Sequence, residues 1–175
     1  MELLIVRHAI ACERNGQRWP DDAARPLSAR GVARARRAAE GLRRIAPRPL
    51  QVLASPLERT RHTAAILTKF AGWPDALPCM QLRPGASTQA LLTLLAQRTD
   101  ACLAVVGHEP DLSRLLAACL PGKASGAAFA LRKMGVALVL FPRSARLGAG
   151  ELQWLLVPRL LRLARHGRGA LSRRR

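Results

Sequence analysis

Leu3-Leu4-Ile5-Val6-Arg7-His8 stands almost at the start of the chain, and its reading decides the fold. Four apolar residues are strand-sized, and the strand ends abruptly in a cation and an imidazole. In an open α/β sheet the carboxyl ends of the strands are where ligands bind. The order strand, Arg, His suits a phosphate. Guanidinium clamps oxygens bidentately, and neutral imidazole can attack phosphorus.

Two later segments are built for the same place. In Val52-Leu53-Ala54-Ser55-Pro56-Leu57-Glu58-Arg59 an apolar strand reaches Ser55. Ser55 is expected to cap a helix with Pro56 at its first position, which puts Arg59 in the first turn. In Leu103-Ala104-Val105-Val106-Gly107-His108-Glu109-Pro110 a strand again ends in a polar cluster, and a helix follows. Gly107 is expected to let the backbone come close to a ligand, with His108 the first functional side chain after it. If the three strands are parallel neighbours, Arg7, His8, Arg59 and His108 meet at one sheet edge.

Strand patterns cover residues 3–6, 51–54, 77–80, 103–106, 136–141 and 151–157. Helical patterns cover 28–46, where Ser28 looks like the N-cap, then 57–71, 87–98 and 111–120. Strands alternating with helices argue for a parallel-rich α/β sheet, whose last two strands read as an antiparallel hairpin. The aperiodic stretch 11–25 reads as a surface connection or a loop over the site mouth. A short helix over 158–165 precedes a basic tail from Gly167, expected to be disordered.

At 175 residues and 49% hydrophobic, the chain is expected to form one globular domain over 1–158, followed by the basic end 159–175. No apolar run is long enough to span a bilayer, and Glu2 and Arg7 break up any signal-peptide pattern. A cytoplasmic monomer is expected. Cys12, Cys79, Cys102 and Cys119 form no C-x-x-C pair and read as reduced, mostly buried thiols. No His/Asp/Glu group has metal-ligand spacing, so neither metal nor other cofactor is expected. The net charge is +18, nearly all of it arginine, concentrated in 25–48 and 159–175. With aromatic residues at 3% and no tyrosine there is no stacking platform for single strands. Solvated helix faces and a basic tail are therefore favoured over a nucleic-acid-binding module, which stays as the alternative of a different class.

Val6-Arg7-His8-Ala9, Arg25-Pro26-Leu27-Ser28-Ala29-Arg30-Gly31, Ser55-Pro56-Leu57-Glu58-Arg59 with Thr63-Ala64, and Val106-Gly107-His108-Glu109-Pro110 together resemble the histidine phosphatase, or phosphoglycerate mutase-like, superfamily. The short chain and the last segment look most like its small branch of phosphohistidine phosphatases of the SixA type. Ala9 stands where the superfamily usually has Gly. The resemblance implies that His8 is phosphorylated and that Arg7, Arg59 and His108 form the pocket around the phosphoryl group. With the strand pattern, it implies a three-layer α/β/α fold with a mostly parallel six-stranded sheet and one antiparallel strand. Arg165-His166-Gly167 spells the same signature triplet, but no strand precedes it, and it reads as a decoy.

Leaving-group chemistry separates the substrate classes. Larger branches of the superfamily supply a carboxylic acid from the segment after the third strand. Here that segment, 81–89, contains none. An alkoxide is strongly basic, so ester cleavage benefits from a general acid. A phosphorylated imidazole protonated at its distal nitrogen can leave as neutral imidazole. The expected activity is therefore phosphohistidine hydrolysis through phospho-His8, on a phosphohistidine-bearing protein or a small phosphoramidate. A small-molecule phosphomonoesterase or mutase is the alternative, in which Glu109 or Glu13 would donate the proton.

Overall fold

The computed structural model describes residues 1–122 and 125–166. Six strands form one sheet: β1 (Glu2–Arg7), β2 (Gln51–Ala54), β3 (Ala76–Pro78), β4 (Cys102–Gly107), β5 (Val136–Leu140) and β6 (Glu151–Leu156). Their order is β3-β2-β4-β1-β5-β6. β3, β2, β4 and β1 run parallel, and β5 is antiparallel to both of its neighbours.

Side chains alternate across the sheet, as the two-residue strand period requires. Leu4, Val6, Val52, Ala54, Ala104 and Val106 pack on one face against α1 (Ala29–Ile45), α2 (Glu58–Ala71) and α5 (Pro158–Ala164). Leu3, Ile5, Leu53, Leu103 and Val105 pack on the other against α3 (Thr88–Ala96) and α4 (Asp111–Cys119). Helices on both faces of a mostly parallel sheet make the three layers anticipated from the alternating pattern.

Ser28 caps α1 by accepting the Gly31 N–H at 3.0 Å. α1 then buries small residues, Ala35, Ala38 and Ala39, so its backbone lies close to the sheet. Two glycines set its neighbours: a Cβ on Gly31 would collide with the Ile10 carbonyl, and one on Gly41 with the Leu161 carbonyl. The second contact is where α5 crosses α1 with Leu161 wholly buried, and Arg165 adds an ion pair to Glu40. The basic helix after residue 158 is thus packed into the α1 layer. The tail from Gly167 onward lies outside the described residues.

Two local expectations change. The third strand covers Ala76–Pro78 rather than 77–80, because it is an edge strand: Leu77 is half-exposed and the chain turns into a 3₁₀ segment at Met80–Leu82. α2 starts at Glu58, and its N-cap position, Leu57, makes no side-chain cap. Ser55 stands two residues before that N-cap position, and its Oγ accepts the Leu57 N–H at 3.5 Å rather than one from the first turn.

Candidate active site

β1, β4 and β2 are adjacent and parallel, so their carboxyl ends deliver Arg7, His8, His108 and the Ser55–Arg59 turn to one place. A cleft of about 520 Å³ opens there, lined by Arg7, His8, Arg59 and His108, with Glu13 and Glu109 also on its wall. The six titratable side chains singled out from the sequence therefore share one cavity. Stretch 11–25 stands at its mouth. The Cys12 N–H donates to Pro26 O, and the 3₁₀ segment Asp22–Ala24 sets Asp22 against the arginines.

His8 is 7% exposed. Its Nδ1 lies 2.7 Å from the Ala9 carbonyl, which can only accept. Nδ1 therefore carries the proton, and Nε2 keeps a lone pair. Burial pushes the His8 pKa down to about 4; the Ala9 hydrogen bond opposes this, and Arg59, Arg7 and Lys133 add to it. The imidazole is neutral at pH 7, as a nucleophile requires. Ala9 is buried, keeps an ordinary negative φ, and donates its N–H to Thr63 Oγ1, so the alanine in place of glycine is accommodated.

His108 is 3% exposed, with its ring centroid 5.2 Å from that of His8. Its Nε2 is 2.9 Å from Ser55 Oγ, and Ser55 is completely buried. The Ser55 hydroxyl accepts the Leu57 N–H at 3.5 Å, and among the described residues His108 Nε2 is the acceptor available for its own proton. His108 then carries its proton on Nδ1, which has no partner. Burial, followed by His8, Arg59 and Arg7, pushes the His108 pKa down to about 3, against the attraction of Asp22.

Arg59 is 3% exposed at the second position of α2. Its Nη1 donates to the Asp22 carbonyl at 2.8 Å and lies 3.1 Å from the Asp22 carboxylate. The same carboxylate accepts from Arg25 Nε at 2.7 Å. Arg7 Nη1 donates to the Leu131 carbonyl at 2.9 Å. One edge of each guanidinium is thus anchored, while Arg7 Nε and Arg59 Nε, like His108 Nδ1, are buried without an acceptor among the described residues. An unsatisfied buried donor costs about 1–3 kcal/mol, so three around one cleft call for a ligand with several acceptor oxygens.

The remaining sequence-derived candidates fall in different places. Gly107 accepts the His8 N–H at 3.0 Å, but a Cβ there would point at Leu112 and Leu82. Its missing side chain makes room for α4 and the 3₁₀ segment under the sheet edge, not for a ligand. Glu109 Oε1 accepts from Ser113 Oγ at 2.8 Å. Glu13 is exposed at the rim. His166 lies with Glu40 and Phe70 in a separate depression. Asp22, Ser55 and Lys133 are site residues that the sequence reading did not assign. Ser55 lies inside the motif Ser55–Arg59, whereas nothing in the sequence around Lys133 marks it.

The family model of the histidine phosphatase superfamily (branch 1) matches residues 3–82. A Picosynechococcus protein of uncharacterised function is 34% identical over 139 residues, 78% of this chain and 82% of that one. Among solved structures, the protein histidine phosphatase SixA complexed with tungstate superposes with a TM-score of 0.80 at 24% identity, covering 92% of this chain and 99% of that one. The mycobacterial glucosyl-3-phosphoglycerate phosphatase superposes with a TM-score of 0.65 at 19% identity, over 87% and 96% of the two chains. With the matched motifs placed in one cleft, the chain belongs to the histidine phosphatase superfamily and is a phosphatase.

Proposed function

We propose that this phosphatase hydrolyses phosphohistidine, a P–N bond, through a phospho-His8 intermediate. The observation that carries the reading is the trio of unpartnered buried donors, Arg7 Nε, Arg59 Nε and His108 Nδ1, around a neutral imidazole whose Nε2 is free. The donors fit the equatorial oxygens of a phosphoryl group, where charge gathers in the transition state.

In the first step His8 Nε2 attacks phosphorus. The P–N bond breaks, and the substrate imidazole, protonated at its distal nitrogen, takes the bonding pair and leaves neutral. In phospho-His8 the proton stays on Nδ1, donated to the Ala9 carbonyl, so His8 is itself poised as a neutral leaving group. Water then attacks phosphorus, gives up one proton, and releases phosphate and the original imidazole. Neither P–N cleavage requires an added general acid. That agrees with the 3₁₀ segment Met80–Leu82 and the turn after it, which bring Pro84 but no carboxylate to the cleft.

A phosphomonoesterase activity would need Glu109 or Glu13 to protonate the leaving oxygen, and Glu109 is engaged by Ser113. The test is turnover of phosphoramidate, a phosphohistidine protein and alkyl and aryl phosphates side by side, with acid-quench trapping. Acid-labile, base-stable label at His8 and rates ordered phosphoramidate, aryl, alkyl are expected. Equal rates on alkyl esters would reassign the enzyme to phosphomonoesters, and full activity in His8→Ala would remove the mechanism.

A further inference from the structure

Beside the His8 cleft, on the far side of Arg7, lies a second cleft of about 630 Å³. Arg7, Ile10 and Lys133 line both, so the two cavities adjoin. The floor is apolar, formed by Ala9, Ala35, Met134, Val157 and Pro158. The rim is cationic: Arg34 from α1, Arg132 and Lys133 from the loop before β5, and Arg159 and Arg162 from α5. Among the described residues no acidic side chain lines the cleft. None of these five cations makes an ion pair among the described residues, although the chain pairs eight other arginine–carboxylate couples.

Like charges gathered on one concavity repel one another and destabilise the free protein unless an anion offsets them. Arg162 shows the strain: burial lowers its pKa, and Arg34, Arg37 and Arg159 lower it further. The loop is also held in a costly shape. Met134 has φ 65°, a left-handed conformation costing a non-glycine residue about 1–2 kcal/mol, and its N–H donates to the Arg7 and His8 carbonyls. Those bonds tie Arg132 and Lys133 to the strand end that carries His8. Residues held in such conformations cluster at ligand clamps and active sites.

We propose that this second cleft is a docking subsite for an acidic segment of the phosphohistidine-bearing protein substrate, with carboxylates on the arginine rim and an apolar side chain on the floor. The inference rests on the phosphohistidine reading of the His8 cleft. Guanidinium groups bind carboxylates in a planar, bidentate fork, so an arginine rim suits glutamate and aspartate side chains. The apolar floor disfavours a bare polyphosphate, which would leave it unfilled. Among the described residues its lining includes no aromatic side chain on which nucleic-acid bases could stack.

The experiment uses the full chain, Arg34→Glu/Arg162→Glu and the single variant Arg159→Glu, in which the changed residue is exposed. Two phosphohistidine peptides, one flanked by glutamates and one by glutamines, are compared with phosphoramidate as a substrate too small to reach the second cleft. The wild type should turn over the acidic peptide with kcat/KM about tenfold higher, mostly through KM and suppressed by salt. Both variants should lose that preference and keep phosphoramidate turnover within about twofold of wild type, since the changed rim charges lie outside the His8 cleft. Equal rates on the two peptides in the wild type, or a preference surviving in both variants, would overturn the proposal. So would a short DNA duplex that displaces the acidic peptide. Binding of the unphosphorylated glutamate peptide is measured separately. If no substrate is hydrolysed but this binding is present and lost in the variants, the subsite stands and the phosphohistidine reading falls.

Discussion

Ser55→Ala removes the hydrogen bond to His108 on which the phosphoryl pocket depends, together with the weaker 3.5 Å acceptor of the Leu57 N–H. Ser55 is completely buried, and its hydroxyl is 2.9 Å from His108 Nε2. The substitution removes one oxygen, changes little volume, and leaves both nitrogens of a 3%-exposed imidazole without a partner. An orphaned buried acceptor costs about 1–3 kcal/mol. For a domain of this size, about 2 kcal/mol lowers Tm by roughly 4–8 °C. The effect on catalysis is separate. Without the hydroxyl, nothing holds the His108 proton on Nδ1, and the donor to the phosphoryl oxygens is present in only part of the population. Complete loss of one preorganised donor costs about 10²–10³ in kcat, so partial loss should cost roughly tenfold to a hundredfold. Phosphoramidate turnover and thermal denaturation measure the two effects, and ¹⁵N NMR of the imidazoles reads the tautomer directly. The reasoning fails if wild-type His108 carries its proton on Nε2, or if Ser55→Ala keeps wild-type kcat and Tm.

Other expectations follow from the same geometry. His8 and His108 have native pKa values of about 4 and about 3, below the ordinary value of about 6.5. The unfolded chain therefore binds more protons below about pH 6.5. Stability should be complete above that pH and fall as pH drops toward 4, which denaturant titrations across pH will show. For the same reason kcat/KM, corrected for substrate ionisation, should show no His8 limb near pH 6.5 and should fall only near pH 4. Arg59→Lys should lose about 10²-fold in kcat, because an ammonium lacks the planar fork that holds Asp22 with one edge and keeps Nε–H fixed for phosphate. Activity should survive prolonged chelation, since no group of three or more His, Cys, Asp or Glu among the described residues could hold a metal ion. Loss on chelation with recovery on zinc or magnesium would instead place a metal in the phosphoryl site.

Much of the molecule can be read from local pattern. Apolar runs ending in Arg7-His8 and in Gly107-His108 identify two strands and the edge where chemistry belongs, because strand length and side-chain period are local properties. The Ser28 cap and the extent of α1 follow from the same kind of signal. Local rules misplaced the start of α2: Ser55-Pro56 is a good helix-entry pair, but the helix begins at Glu58, and Ser55 meets a buried histidine 53 residues away. They also misread Gly107, whose neighbours Leu82 and Leu112 come from two other elements.

What sequence by itself determined was the set of reactive side chains and the strand ends that carry them. How those side chains are held comes from packing: Nδ1 of His8 on the Ala9 carbonyl, Nε2 of His108 on Ser55, Arg59 on Asp22, and Lys133 at the rim of both clefts. The physical reason is range. A strand or helix is specified by neighbours a few residues apart, whereas tautomers, orphaned donors and a shared cationic rim arise where the order β2-β4-β1-β5 brings together segments that are remote along the chain.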